Sequence, residues 1–296
     1  MELRHIRYFL AVADELNFTK AAEKLMIAQP PLSRQIKDLE EELGAELFER
    51  KPHSLSLTEE GVHFRQYARQ IMELVGKSID DIGELKSGLQ GRLYIASVEG
   101  SAPYLLGEWI AGFSRENPNV QYDLWSGTTD EILHRLEKSL CELAVIMKPF
   151  NGEGVDAVTV YREPWAAVIP EGDPLAKKKG TWILPKDLEG RELIIPSRES
   201  RRREIRSWMP DPEKPLNVRC RVAHITSAAE LARQGVGITI FPTTRGMLEA
   251  NGGVVVKPIK HKAAMAEYCL IKSSSRTLSK AGQMFYDYVR NGKQST

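Results

Sequence analysis

From the amino terminus, Leu3, Ile6, Leu10 and Ala13 recur at steps of three and four residues, the spacing that lines up side chains on one face of a helix. This predicts a first helix to about Asp14. Asn17 can cap a short second helix over Phe18 to Met26, because its side-chain oxygen can accept from the unpaired N–H groups of a first turn. After Ile27 and Ala28, Gln29-Pro30-Pro31 opens a third helix, where proline in the first turn has no intrahelical bond to lose. That helix runs to Gly44, and Leu32, Ile36, Leu39 and Leu43 form one buried stripe along it. Leu47 to Arg50 and Ser54 to Leu57 read as two short strands around the basic tip Lys51-Pro52-His53, a wing-sized hairpin. Thr58 caps a long helix from Glu59 to about Lys86. In it Phe64, Ala68, Ile71, Val75, Ser78, Ile82 and Leu85 keep heptad spacing, which predicts a seam closed by a partner helix.

Gly88-Leu89-Gln90-Gly91 ends that periodicity. Strands at Leu93 to Val98, Val120 to Trp125 and Leu143 to Met147 then alternate with helices at Tyr104 to Glu116 and Asp130 to Ser139. The same grammar returns in strands Leu193 to Pro196, Val218 to Ala223 and Val236 to Phe241, with helices Arg201 to Trp208 and Ser227 to Gln234. A last strand, Tyr268 to Ile271, and a helix, Lys280 to Val289, belong to one half or the other. The organisation expected is a mainly helical domain over residues 1–58, a linker helix over 59–88, and an α/β domain over 91–296. The latter divides into lobe I (about 91–161 and 266–296) and lobe II (about 162–265), with a ligand cleft at the carboxyl ends of the parallel strands.

Composition narrows the class. Across 296 residues, 42% hydrophobic and 27% charged positions are enough to bury real cores. No apolar run reaches the roughly 18 to 20 residues of a membrane span, and the start Met1-Glu2-Leu3-Arg4-His5 lacks the pattern of a signal peptide, so a cytoplasmic protein that avoids the membrane is expected. Cys141, Cys220 and Cys269 form no CxxC pair, and the six histidines show no ligand spacing. Neither metal nor cofactor is expected. No HExxH, GxSxG or P-loop occurs, so nothing argues for catalysis. Lysines and arginines (41) balance aspartates and glutamates (40), so any affinity for nucleic acid must come from local arrangement.

Such an arrangement lies on the third helix. Pro30, Ser33, Arg34 and Lys37 stand opposite the leucine stripe, a basic front on a buried back as a helix entering the DNA major groove requires. Gln29 can reach a base edge, Arg34 a guanine or a phosphate, and Ser33 and Lys37 the backbone. Arg50, Lys51 and His53 of the hairpin can hold the neighbouring backbone or the minor groove. Against this, residues 1–58 carry eight Lys+Arg and ten Asp+Glu, and a plain solvated face stays open on the pattern alone.

The composite Asn17-Phe18-Thr19-Lys20-Ala21-Ala22-Glu23-Lys24-Leu25, Ala28-Gln29-Pro30-Pro31-Leu32-Ser33-Arg34-Gln35-Ile36, Leu39-Glu40, Leu43-Gly44, Leu47-Phe48-Glu49-Arg50 and Leu57-Thr58-Glu59-Glu60-Gly61 resembles the winged helix-turn-helix of LysR-type transcriptional regulators. One departure is Ala28, where many relatives carry a capping serine. The resemblance implies a double-stranded DNA operator or promoter as partner, with Gln29, Pro30, Ser33 and Arg34 reading it and Arg50 in the wing. It also implies a dimer through the linker helices that assembles into a tetramer, contact with RNA polymerase, and a two-lobed α/β effector domain resembling periplasmic binding proteins.

By the same resemblance the effector, a small molecule, sits at Glu99-Gly100-Ser101 and at Ser126-Gly127-Thr128-Thr129, faced by Ser197 and by His224-Ile225-Thr226 of the other lobe. Ser101, Thr128, Thr129, Ser197, His224 and Thr226 are the expected contacts. Helix N-termini with free N–H groups favour an anion, so an organic acid is the expected class. Arg201-Arg202-Arg203 is read as a solvated helix start, with an anion-attracting cleft rim as the alternative. An enzyme or solute-binding module with helices used only for assembly is the competing class.

Overall fold

The computed structural model describes residues 1–51, 54–87, 91–243 and 252–292, with 80–87 as backbone only. His53 of the hairpin tip, the side chains of Ile82 and Leu85, and the break at 88–90 lie outside the described residues. Two compact units, Met1–Lys86 and Ser87–Thr296, divide the chain.

The first unit contains α1 (Leu3–Glu15), α2 (Phe18–Lys24), α3 (Gln29–Leu43), the antiparallel hairpin β1 (Phe48–Lys51) and β2 (Ser54–Leu57), and α4 (Glu59–Ser87). Asn17 caps α2 by accepting from the N–H groups of Thr19 and Lys20 at 2.9 and 3.0 Å. The core is built around Phe9, whose ring lies 5.3 Å from that of Phe48 and 4.8 Å from that of Phe64. Leu32, Ile36 and Leu39 of α3 are fully buried in it, but Leu43 is exposed at the helix end, so the stripe closes one turn earlier than its spacing suggests.

The heptad seam of α4 divides in the same way. Ala68 is buried in the core of its own unit, and Phe64 and Ile71 pack against that core, so these positions need no partner helix. Val62, Tyr67, Leu74 and Ile79 are the large apolar side chains of α4 that stand exposed among the described residues. Gly61 lets α4 approach the hairpin entry: a Cβ there would lie 2.0 Å from the Leu47 carbonyl oxygen. Asp14 ties α1 to α4 through Arg65 and, at 3.0 Å, Arg69. Partial burial works against its charge, and the two guanidinium groups outweigh it and hold the carboxyl below its usual range.

The second unit repeats one motif. β3 (Gly91–Ser97), α5 (Ala102–Glu116), β4 (Val120–Ser126), α6 (Thr129–Glu137) and β5 (Leu143–Met147) are followed by β7 (Leu193–Pro196), α7 (Glu199–Trp208), β8 (Val218–Val222), α8 (Ile225–Arg233) and β9 (Ile238–Pro242). In each half the first strand lies between the other two and parallel to both. Two long strands that the alternating pattern did not predict in this form join the halves: β6 (Val155–Pro170) and β11 (Met265–Ser273). The strand order is β4-β3-β5-β11-β6-β9-β7-β8, with β10 (Val254–Pro258) on β6. Strand β6 pairs with β11 up to Pro164 and with β9 from Trp165 onward, so the chain crosses between lobes inside a strand. Helix α9 (Lys280–Gly292) packs Phe285 against Phe113 of α5, ring centroids 5.2 Å apart. The cysteines are free; Cys141 and Cys269 are buried and Cys220 is half-buried.

Candidate functional site

In the first unit, Gln29, Pro30, Arg34 and Lys37 are exposed on α3, and Ser33 is half-buried. Ala28 occupies the N-cap and makes no side-chain cap bond. Pro30 and Pro31 have no N–H, so the first turn holds fewer unpaired donors than usual and tolerates that loss. Gln29 Nε2 donates to Ser33 Oγ at 2.8 Å. Lys37 lies 3.5 Å from Glu41, and Arg34 has no side-chain partner among the described residues.

Glu40 organises the wing. Its Oε1 accepts from the N–H groups of Leu47 and Phe48 at 2.8 and 3.1 Å, and its Oε2 holds Arg50 at 3.1 Å. The Arg50 guanidinium also stands over the Phe18 ring, 5.3 Å from its centre, and Lys51 pairs with Glu49 at 3.1 Å. Gln29, Ser33, Arg50 and Lys51 line one open groove between the start of α3 and the hairpin. Pro30, Arg34 and Lys37 are on α3 outside that groove.

In the second unit a cavity of about 280 Å³ opens between the two lobes. Its walls follow the carboxyl ends of all six parallel strands: Val98 to Gly100 after β3, Gly127 to Asp130 after β4, Met147 of β5, Pro196 to Arg198 at β7, Val222 to Ile225 at β8, and Phe241 and Pro242 of β9. Side chains alternate at strand ends while loops fan outward, so such a crevice is where α/β sheets hold ligands. Trp165 and Tyr268 of the two long strands and Arg201 of α7 also line it.

Cross-lobe contacts close this cleft. Glu99 accepts from His224 Nδ1 at 2.8 Å and from the Ile225 N–H, at the start of α8, at 3.1 Å. Arg198 Nη2 lies 2.8 Å from Asp130, and Nη1 lies 3.4 Å from the Pro149 carbonyl, which follows a cis peptide bond. Arg201 donates to the Met147 carbonyl at 2.7 Å, to the Lys148 carbonyl, and to Glu204 at 2.9 Å. Burial lowers the Arg201 pKa and raises that of Glu204, because each charge has lost water. Beneath them Tyr268 is also buried, and burial together with the neighbouring Glu163 pushes its phenol far above the usual range, so it remains neutral.

Of the predicted contacts, Thr128, Thr129, Ser197 and His224 line the cavity, and Ser101 and Thr226 do not. Ser101 is fully buried in helical geometry and gives its hydroxyl to Glu163 at 2.8 Å. Thr226 is exposed on α8. Thr128 is engaged in a capping box: its N–H and hydroxyl both lie 2.8 Å from Glu131 Oε2. Arg201 is 4% exposed, which corrects its reading as part of a solvated helix start. At the start of α6, one of the two helix ends behind the expectation of an anionic guest, the Glu131 carboxylate already accepts from the Thr128 N–H, and at the start of α8 Glu99 accepts from the Ile225 N–H.

Comparison with known proteins decides the family. Residues 3–62 match the bacterial regulatory helix-turn-helix proteins of the lysR family, and residues 86–294 match the LysR substrate binding domain. The chain belongs to the LysR family. It is a DNA-binding transcriptional regulator with an effector-binding domain, and its relatives are regulators, not enzymes, which removes the competing class. It is 30% identical to the Hca operon transcriptional activator HcaR of Escherichia coli (strain K12), over 88% of this chain and 87% of HcaR. It is 29% identical to the HTH-type regulator YnfL of the same organism, over 98% of both chains. Among solved structures, CbnR, a LysR family regulator, superposes with a TM-score of 0.81 at 24% identity over 99% of both chains. A structure of CbnR complexed with its target DNA superposes at 0.78, with 24% identity over 98% of this chain and 99% of CbnR.

In this LysR chain sequence reasoning reached the Glu99 loop and offered Arg201 as part of a cleft rim, but it missed Asp130, Arg198, the half-buried Met147 and the buried Trp165, Phe241 and Tyr268. Their signal was present only in part. Asp130 adjoins the chosen Thr129, and Arg198 precedes the arginine run, but nothing local says that these charges meet. Among the described residues no cluster of His, Cys, Asp and Glu could hold a metal ion, and no helix is long and apolar enough to cross a membrane.

Proposed function

We propose that this regulator reads its operator with the exposed face of α3, in the cytoplasm, as a dimer or as a tetramer made of two such dimers. Gln29, Pro30, Ser33 and Arg34 meet base edges, and Lys37, Arg50 and Lys51 hold phosphates. The supporting observations are the groove that collects Gln29, Ser33, Arg50 and Lys51, and the exposure of Arg34 on the same helix without a side-chain partner among the described residues. Apolar Tyr67, Leu74 and Ile79, exposed on α4, supply a surface for self-association. Two such heads related by a two-fold axis read a pseudo-palindrome with half-sites about one helical turn apart.

A small-molecule effector binds in the interlobe cavity and shifts the population of lobe arrangements. It does so only as far as it prefers one arrangement over the other. Contact with RNA polymerase then follows from the altered position of the dimer on the promoter.

Titration into a labelled fragment from immediately upstream of the protein's own gene, at several salt concentrations with random DNA as competitor, tests the reading. Specific binding that survives competition and weakens with salt is the expected result. Lack of preference for any fragment in a genome-wide selection would overturn it.

A further inference from the structure

The lobes differ in the chemistry they bring to the cleft. Lobe I supplies the carboxylates Glu99 and Asp130 and the carbonyls of residues 147–149, and lobe II supplies His224, the Ile225 N–H, Arg198 and Arg201. The two lobe II arginines that line the cavity are thus already matched: Arg198 by Asp130, and Arg201 by Glu204 and two carbonyls. Glu99 differs from Glu204 in being open to the cavity, with its side chain 37% exposed. A carboxylate has about four lone-pair positions, and His224 and Ile225 use two.

Resting on the reading that the cavity holds the effector, we infer that Glu99 determines its specificity. Glu99 fills the anion position at the start of α8 and presents its remaining lone pairs to a guest, so the group bound there is an uncharged or cationic hydrogen-bond donor and not a carboxylate. The apolar wall of Val98, Met147, Trp165 and Phe241 receives the rest of that molecule. A guest carboxylate at this end would either displace Glu99 from two hydrogen bonds or lie against its charge.

Three chain-matched probes, butylamine, butyramide and butyrate, differ only in the head group. Calorimetric titration into the full-length protein is expected to rank amine and amide at least about tenfold above butyrate, and Glu99→Gln is expected to bring butyrate level with or above the amine. Butyrate binding to the wild type as well as the amine, or an unchanged ranking in Glu99→Gln, would overturn the assignment. Should none of the three bind the wild type measurably, the Ile225 amide decides. Its hydrogen exchange should accelerate in Glu99→Ala and slow again when butyrate is added, whereas exchange unaffected by the substitution counts against the assignment. Both readouts are independent of DNA. Probes that rank as stated but leave operator binding untouched would count against the regulatory reading alone.

Discussion

Arg198, at the start of α7 in lobe II, lies 2.8 Å from Asp130, at the start of α6 in lobe I, so one exposed ion pair bridges the mouth of the effector cleft. Asp130 keeps 71% of its side-chain surface accessible, and such pairs contribute about 0 to 1 kcal/mol. Arg198→Ala should therefore lower stability by less than about 1 kcal/mol in denaturant titration, while speeding hydrogen exchange of the 147–150 segment. A loss of several kcal/mol would mark the pair as structural rather than a latch.

Arg201 should behave in the opposite way. Its buried guanidinium serves Glu204 and two carbonyls, and removing it strands a desolvated carboxylate, so Arg201→Ala is expected to cost about 3 to 5 kcal/mol. Chemical denaturation of the two variants side by side separates the roles.

Glu204 adds a pH dependence. Burial raises its pKa in the fold above the ordinary value of 4.5, so between that value and the raised one the folded protein holds more protons than the unfolded chain. Stability contributed by this group falls as pH rises through that window. Glu204→Gln should flatten the slope, and an unchanged slope in melts across pH 4 to about 7 would assign it elsewhere.

Arg34→Ala is expected to weaken specific DNA binding by about 1 to 3 kcal/mol and to reduce discrimination between operator and random DNA. A uniform loss on both DNAs would reassign Arg34 to the phosphate backbone.

Thr128→Val removes the α6 cap as well as any contact with the effector, so about 1 kcal/mol of stability should go with it. Thr128→Ser restores the cap. Comparing effector response in the two variants, with melting as the reference, separates capping from binding.

Much of the first unit was legible because its determinants are local. Asn17 as a cap, the prolines of the third helix and the 3–4 spacing of Leu32, Ile36 and Leu39 act within a few residues, and the composite of these positions is long enough to single out a family. The repeated βαβ grammar likewise announced two lobes and a cleft. A change of lobe was expected near residues 161–162, but that it falls inside one continuous strand, β6, escaped, because the charged pair Arg162-Glu163 breaks the apolar pattern there and periodicity reports which face is buried rather than which neighbour a strand pairs with.

By itself, the sequence determined the winged helix-turn-helix, the basic front of α3 and the presence of a ligand cleft, since these follow from spacing along the chain. Only the tertiary structure decided which charges meet across that cleft. Glu99 and His224 are 125 residues apart, as distant in sequence as the lobes they belong to. Ser101 turns inward to Glu163, 62 residues away, and not toward a guest. Partner choice over such separations is set by the packing of two lobes on shared strands, which no local pattern encodes.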